Sequence, residues 1–216
     1  MMYTERARET LYAWVKTESL RKHCEAVAAC MGYFAEKTGA NADLWIAVGL
    51  LHDLDYEQYP DMPAEGPETT ALSHALIDGA ALPDPLPGHP FVGVAYLREQ
   101  GWSPDVLRAI LSHADYSGIL PESAMERTLY AVDELSGFVT AVTLVRPDKS
   151  VYTVEVPSVR KKMKDKAFAA KVSREGIAHG AEVIGMPLET LIAEVIAALR
   201  ASAERLGIAG TGADRT

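Results

Sequence analysis

Apolar residues recur every three to four positions along most of the chain, which is the spacing of one buried face of an α-helix. Only the run from Ser150 to Val156 alternates apolar and polar residues as a strand does. Because one short strand cannot form a sheet, we expect an extended connector there, with at most a short partner. The pattern predicts an all-α helical bundle with helices over residues 4–17, 19–38, 42–55, 68–79, 90–100, 104–113, 123–145, 158–170, 174–184 and 187–206.

Length and composition favour one domain. With 216 residues, 48% of them hydrophobic, the chain can bury a full core. We expect a single helical domain over residues 1–206 and a disordered tail over 207–216, where the residues are small and polar. Cys24 and Cys30 lie six positions apart on one predicted helix, so they should point to different faces and stay reduced in the core.

The apolar runs are too short to cross a membrane. They fall well below the roughly twenty residues that a spanning helix needs. The first residues also include acids and arginines where a signal peptide would be apolar. We therefore expect a cytoplasmic protein that has no membrane partner.

Two polar residues interrupt the most apolar predicted helix. His52 and Asp53 follow the stretch Leu44 to Leu51. Burying an unpaired carboxylate costs several kcal/mol, so Asp53 needs a cation, a dense shell of hydrogen bonds or an exposed position. A divalent metal ion would satisfy both side chains at once.

Three further residues are candidates for the same site, because side chains from different helices can converge in the core of a bundle. His23 shares an inward stripe with Val27, Cys30 and Phe34 at helical spacing. Asp133 lies on an apolar face of the predicted helix 123–145, and His113 closes the predicted helix 104–113. These positions predict a metal centre between helices.

The order His23, His52-Asp53, Asp133 resembles the HD superfamily of metal-dependent phosphohydrolases, which are all-helical enzymes with this signature. The runs His89-Pro-Phe-Val-Gly93 and Ala109-Ile-Leu-Ser-His113 look like the two extra histidine motifs of its two-metal branch. The region from Leu129 to Lys149 is further similar to a small bacterial group of predicted HDIG-like hydrolases. The resemblance implies the helical bundle of the HD-domain and phosphodiesterase-like proteins.

The chain departs from that family pattern at two places. Leu54-Asp55 follows the doublet where many relatives carry Ile-Gly, and a proline-rich segment, residues 59–88, precedes His89. We expect this segment to form a loop, a short helix and a second loop. It is either a lid or specificity element, or a surface elaboration without function. It carries His74, which competes with His89 for the same role.

The resemblance also implies the roles of the site residues. His23, His52, Asp53 and Asp133 would bind the first metal ion, and Asp53 would bridge to a second ion bound by His89 and His113. Alternatively, the site holds one ion, and His89 and His113 orient phosphate. Asp53 is a catalytic candidate, and Asp115 would orient water or protonate a leaving group, unless it is only a loop residue. The ions would be one or two of Mn, Fe, Co, Ni or Zn, and His179 is expected to be structural.

Charge adds candidates for substrate binding. The formal net charge of −9 argues against nucleic acid as a partner. Residues 160–174 nevertheless contain seven basic residues and one acid, either as a solvated helix face or as a source of phosphate contacts. Arg146 and Lys149, which follow the helix of Asp133, are further substrate-binding candidates. The basic residues of the block are Arg160, Lys161, Lys162, Lys164, Lys166, Lys171 and Arg174.

The leading hypothesis is a phosphohydrolase that cleaves a small, nucleotide-like phosphate ester by metal-activated water. Tyr56, Tyr59 and Tyr116 follow metal motifs and would stack on a base, or else form pocket walls. The first alternative is a di-iron oxygenase with the same fold. The second is a noncatalytic nucleotide-binding sensor, which would usually have lost a metal ligand.

Overall fold

The computed structural model describes residues 2–210, and eleven α-helices form almost all of the regular structure in that range. The single pairing of extended residues there is an antiparallel bridge between Ser150 and Ala209. The helices are α1 Tyr3–Trp14, α2 Glu18–Thr38, α3 Ala42–Leu51, α4 Pro67–Asp78, α5 Phe91–Glu99, α6 Pro104–Ser112, α7 Ala124–Leu144, α8 Val156–Met163, α9 Arg174–Ile184, α10 Leu188–Ala201 and α11 Ala203–Leu206. The predicted all-α fold is confirmed.

Helices α2, α3 and α7 form the centre of the molecule. Helix α1 packs on α3, α9 packs on α7, and α10 packs against both α2 and α7. Helices α4, α5 and α6 form a second group, in which α6 also contacts α3 and α7. The stripe Val27, Cys30 and Phe34 is buried as predicted, and Cys24 and Cys30 are both free and buried. None of the helices within residues 2–210 is long and apolar enough to span a membrane.

Helix α3 ends earlier than its apolar pattern predicts. The pattern continues to residue 55, but the helix stops at Leu51, and residues 52–58 form a series of turns. His52, the C-cap residue, still has helical backbone angles, and in the turns that follow the amide of Tyr59 donates to the carbonyl oxygen of Asp55. The doublet therefore lies at the end of α3, where the chain turns and Asp53 is no longer confined to a helix face.

A glycine sets the distance between the two central helices. A Cβ atom on Gly49 would lie 2.7 Å from the Cα atom of Ala28 and 2.8 Å from its amide nitrogen. Only a residue without a side chain allows α3 to approach the backbone of α2 this closely. This contact lies one turn before His52 and one turn after His23, so it brings the two imidazoles within reach of each other.

The segment 59–88 has the expected order of loop, helix and loop. Its helix, α4, packs against α5 and α6, and His74 is exposed on it. The two ends of the segment meet, because the amide of His89 lies within hydrogen-bond distance of the carbonyl oxygens of Tyr59 and Asp61. The insertion thus leaves the bundle and returns to it at one point beside the doublet.

Three local predictions differ from the structure. Helix α8 ends at Met163 rather than at residue 170, and residues 164–173 form a loop. Within the expected connector 150–156, residues Val151–Thr153 form a 3-10 turn. Ile208 is buried, and the amide of Val151 donates to its carbonyl oxygen, so residues 207–210 belong to the packed structure rather than to a tail. The rest of the expected tail, 211–216, lies outside the described residues.

We predict that Gly49→Ala destabilises the protein. Alanine favours a helix over glycine by about 1 kcal/mol, but its methyl group would overlap the α2 backbone and force the helices apart. We expect a net loss of about 1–3 kcal/mol in the free energy of unfolding, measured by urea denaturation. Gly66→Ala is the control, because its Cβ would meet no atom within 4 Å. Equal stability of the two variants would contradict this role of Gly49.

Candidate metal centre

Ends and faces of five helices place six polar side chains around one point. Helix α2 supplies His23, the end of α3 supplies His52 and Asp53, and the middle of α7 supplies Asp133. The remaining two are His89, two residues before α5, and His113, which caps the end of α6. The structure brings together the six residues that the sequence suggested as metal ligands, and His89 rather than its competitor His74 joins them.

The six side chains form two groups, each with the composition of a metal site. In the first group, the Nε2 atoms of His23 and His52 lie 2.9 and 3.4 Å from Oδ1 of Asp133. The second group consists of Asp53, His89 and His113. Two imidazoles and one carboxylate in each group suit a first-row transition metal.

Asp53 faces both groups at once. Its Oδ2 atom lies 3.6 Å from Nε2 of His23 and 3.6 Å from Nε2 of His52. Its Oδ1 atom lies 3.5 Å from Nε2 of His89 and 3.7 Å from Nε2 of His113. One carboxylate oxygen therefore points to each group, which is the arrangement of a bridging ligand.

Hydrogen bonds on the outer side of three imidazoles fix their orientation. Nδ1 of His52 donates to the carbonyl oxygen of Gly49 at 2.9 Å, and Nδ1 of His113 donates to that of Ile110. Nδ1 of His89 donates to Oδ1 of Asp55 at 2.7 Å. A proton held on Nδ1 leaves Nε2 with a free lone pair, which is the state that a metal ligand needs.

Asp55 is the site residue that the sequence analysis missed. Its carboxylate is buried and accepts the Nδ1–H of His89 through one oxygen and the backbone N–H of Gly93, at 2.6 Å, through the other. Gly93 leaves room for it, because a Cβ there would lie 3.0 Å from Cγ of Asp55. The sequence did contain one signal of its role. Leu54-Asp55 follows the His52-Asp53 doublet where the HD pattern often has Ile-Gly, so an acid occupies a position that has no side chain in that pattern.

The two buried carboxylates of the cluster, Asp53 and Asp133, favour a positive charge beside them. Burial by itself lowers the pKa of His52, but the charges of Asp53 and Asp133 outweigh it and raise that pKa to about 9. Burial likewise opposes ionisation of Asp53 and Asp133, yet the adjacent imidazoles hold both carboxyl pKa values below their usual range. Within residues 2–210, no lysine or arginine pairs with either carboxylate, so a divalent cation fits the donor set and would replace the proton of His52.

A cleft of about 480 Å³ opens over the cluster. Aromatic and apolar residues form one wall, and Glu134 with the loop residues Lys171 and Val172 forms another. Burial, together with the charge of Asp133, raises the pKa of Glu134 to about 7. The lining residues are Leu20, His23, Asp53, Tyr56, Met62, His89, His113, Ala114, Asp115, Tyr116, Asp133, Glu134, Gly137, Lys171 and Val172.

Other candidate residues divide between this cleft and the surface. Asp115 lies at the rim, where Oδ1 accepts the hydroxyl proton of Tyr130 at 2.8 Å. Tyr56 and Tyr116 line the cleft, whereas Tyr59 is exposed and does not. His74 and His179 are exposed on α4 and α9, outside the cluster.

The two substrate-binding candidates after α7 do not reach the cleft. Arg146 follows Asp133 by 13 residues, and α7 rises about 16 Å between Asp133 and its end at Leu144. Its Nε atom donates to Thr153 and pairs with Asp148. Lys149 is exposed in the turn that follows, and neither residue lines the cleft. Their contact with phosphate stays a prediction that this arrangement does not support; from the basic block, Lys171 lines the cleft.

The raised pKa of His52 predicts a pH-dependent stability of the metal-free protein. The folded value of about 9 exceeds the ordinary value of 6.5, so the stabilisation is complete below about pH 6.5 and is lost as pH rises through 9. We expect the free energy of unfolding of chelator-treated protein to fall over that interval. His52→Gln is the control and should lack this decline. An equal slope in both proteins would assign it to other groups.

Asp55→Asn should weaken the second group selectively. The amide retains only one oxygen acceptor for the two donors, His89 and Gly93, so the imidazole loses its fixed orientation. We expect the affinity of the weaker Mn²⁺ site to fall by about 10- to 100-fold, measured by calorimetric titration. Asp61→Asn, an exposed carboxylate in the adjacent segment, is the control. Unchanged binding at both sites in Asp55→Asn would contradict its positioning role.

Comparison with known proteins agrees with this geometry. No curated protein and no solved structure matches the chain. The family described as the HD domain matches residues 20–137, just over half of the chain, and this range contains all six residues of the cluster. This family consists mostly of metal-dependent phosphohydrolases. The chain belongs to the HD domain family.

Proposed function

We propose that this protein is a phosphohydrolase that uses two divalent transition-metal ions to hydrolyse a small, nucleotide-like phosphate ester. The observation that carries the proposal is the position of Asp53, which turns one carboxylate oxygen to His23 and His52 and the other to His89 and His113. A carboxylate between two histidine pairs suits a two-metal site better than a single ion with two spare histidines.

The donor atoms divide between the two ions as the two groups suggest. His23, His52, Asp133 and one oxygen of Asp53 would hold the first, and His89, His113 and the other oxygen of Asp53 would hold the second. When bound, such ions supply an activated water and neutralise negative charge on the transferring phosphoryl group. Mn, Fe, Co, Ni and Zn all suit this mixture of imidazole and carboxylate.

Residues of the chain around the cluster would complete the reaction. Asp115, held at the rim by the hydroxyl of Tyr130, orients water or passes a proton to the leaving oxygen. Asp55 keeps His89 aligned through its Nδ1–H. The rings of Tyr56 and Tyr116 on the cleft wall offer apolar faces to a nucleobase, which supports a nucleotide-like leaving group.

Two other functions are compatible with this fold, and experiments can distinguish them from hydrolysis. A noncatalytic sensor usually lacks a ligand, whereas all six are present here, so catalysis is favoured. A di-iron oxygenase would use the same donor set. It would require iron in a defined redox state and consume oxygen, while a hydrolase works without oxygen and releases phosphate.

The proposal predicts metal-dependent phosphate release in the absence of oxygen. Protein purified without chelator should contain about two transition-metal equivalents, and Mn²⁺ or Co²⁺ should support hydrolysis of p-nitrophenyl phosphate and nucleoside monophosphates. His113→Ala should reduce the metal content to about one equivalent, because the second group loses one of its three ligands. Asp53→Ala should abolish activity with helical circular dichroism unchanged.

His74→Ala is the matched control, since His74 is an exposed histidine outside the cluster and should keep full metal content and activity. One equivalent that is unchanged in His113→Ala would indicate a single-metal site. Oxygen consumption that depends on iron, without phosphate release, would replace the proposal by the oxygenase. Full activity in Asp53→Ala would exclude this site.

A further inference from the structure

The loop between α8 and α9, residues 164–173, brings a lysine to the cleft. Lys171 and Val172 line the cavity, although the pattern of the sequence predicts part of this region as helix. Lys171 is the one lysine or arginine among the described residues that line the cleft. Its side chain is exposed, and no ion pair or hydrogen bond within residues 2–210 occupies its ammonium group.

A half-buried arginine holds the loop in shape. The guanidinium of Arg174 lies against the ring of Phe138, 4.7 Å from its centroid, and is surrounded by the loop backbone. The ring of Phe168 packs edge-on against the same Phe138, with centroids 5.5 Å apart. The carbonyl oxygens that accept from Arg174 are those of Asp165, Phe168, Ala169 and Val172. Four bonds from one side chain fix a loop that has no regular structure of its own.

The end of the loop is tied to the metal centre. The backbone N–H of Ser173 donates to Oε2 of Glu134 at 3.2 Å, and Glu134 directly follows the ligand Asp133. The hydroxyl of Ser173 accepts the N–H of Gly176 and so starts α9. Lys171, two residues before Ser173, is therefore held at a set position relative to Asp133.

The acidic side chains that line the cleft do not pair with Lys171, so its ammonium group is available to bind an anion. Asp53, Asp115, Asp133 and Glu134 line the same cavity, yet Lys171 pairs with none of them. A lysine ammonium is a compact charge that binds phosphate oxygens. A phosphate monoester carries about −1.5 to −2 near neutral pH, whereas a diester carries a single charge. An unpaired cation beside the centre favours the more highly charged group.

We propose that Lys171 binds the terminal phosphate of a phosphomonoester substrate, and that Arg174 is the positioning residue that holds the Lys171 loop at the cleft. This inference rests on the proposed function and specifies its substrate class. It makes Lys171 a determinant of specificity for monoesters over diesters. It also assigns the basic block a role at one position; Lys161, Lys164 and Lys166 are exposed, and the ammonium group of Lys162 lies over the ring of Phe168.

Binding of inorganic phosphate tests the inference directly. Mn²⁺-loaded wild type, Lys171→Met and Lys166→Met are titrated with phosphate in a calorimeter. Lys166 lies in the same loop, is exposed and does not line the cleft, so its variant is the matched control. We expect about tenfold weaker phosphate binding in Lys171→Met, the effect of one charged hydrogen bond. Lys166→Met should bind as wild type, and Lys171→Arg should restore most of the affinity.

Kinetics separate specificity from general damage. In Lys171→Met, the KM for p-nitrophenyl phosphate should rise about tenfold with a smaller change in kcat. The KM for bis(p-nitrophenyl) phosphate should change little. Arg174→Lys should weaken phosphate binding in the same way with the metal content unchanged, provided that circular dichroism shows a folded protein. Normal phosphate binding by folded Arg174→Lys would remove Arg174 from the proposal.

Phosphate binding that is equal in wild type and Lys171→Met, or absent in both, would overturn the inference. A wild type that hydrolyses no ester but binds phosphate through Lys171 would refute the proposed function and leave the phosphate site in place. If Lys171→Met changes the KM for neither substrate while both are still hydrolysed, the proposed function stands and this inference is refuted. The two failures are therefore distinct.

Discussion

The burial of Asp53 and Asp133 in a helical core is the constraint on which the rest of the structure depends. A buried carboxylate is costly unless an opposite charge or several donors compensate it. Here no lysine or arginine within residues 2–210 does so, and four imidazoles surround the pair instead. Histidine can compensate either as a protonated partner or as a neutral ligand of a cation, so these side chains suit both a metal-free and a metal-bound state.

Small residues make that arrangement possible. Gly49 lets α3 approach α2, and Gly93 leaves room for the carboxylate of Asp55 behind His89. A third close contact, between Gly180 and Ala131, packs α9 onto α7 on the side that carries the Lys171 loop. The positions of the clustered side chains are thus determined by where backbones can touch, and hydrogen bonds of Nδ1 then set the orientation of three of the imidazole rings.

The sequence predicted the helices and five of the six clustered residues because both leave periodic or paired signals, whereas only the resemblance to the HD superfamily suggested His89. Apolar spacing identifies a helix, and a polar residue on an apolar face identifies a candidate ligand. The sequence pattern predicted α3 and α8 to be longer than they are. Apolar residues continue past Leu51, and the lysines after Met163 favour a helix, but the helices end at those two residues. Asp55, the Arg174-bound loop and the distance of Arg146 from the cleft depend on contacts between distant segments, which no local pattern records.

The paired hydrogen bonds of the His89 amide with Tyr59 and Asp61 have a consequence for how this chain can vary. They close residues 59–88 into a segment whose two ends share one attachment point, while α4 within it packs against α5 and α6. Each doubling of a closed loop costs only about 0.6 kcal/mol of chain entropy. The loops on either side of α4 can therefore differ in length without displacing His89, because the attachment point and the packing of α4 both stay in place.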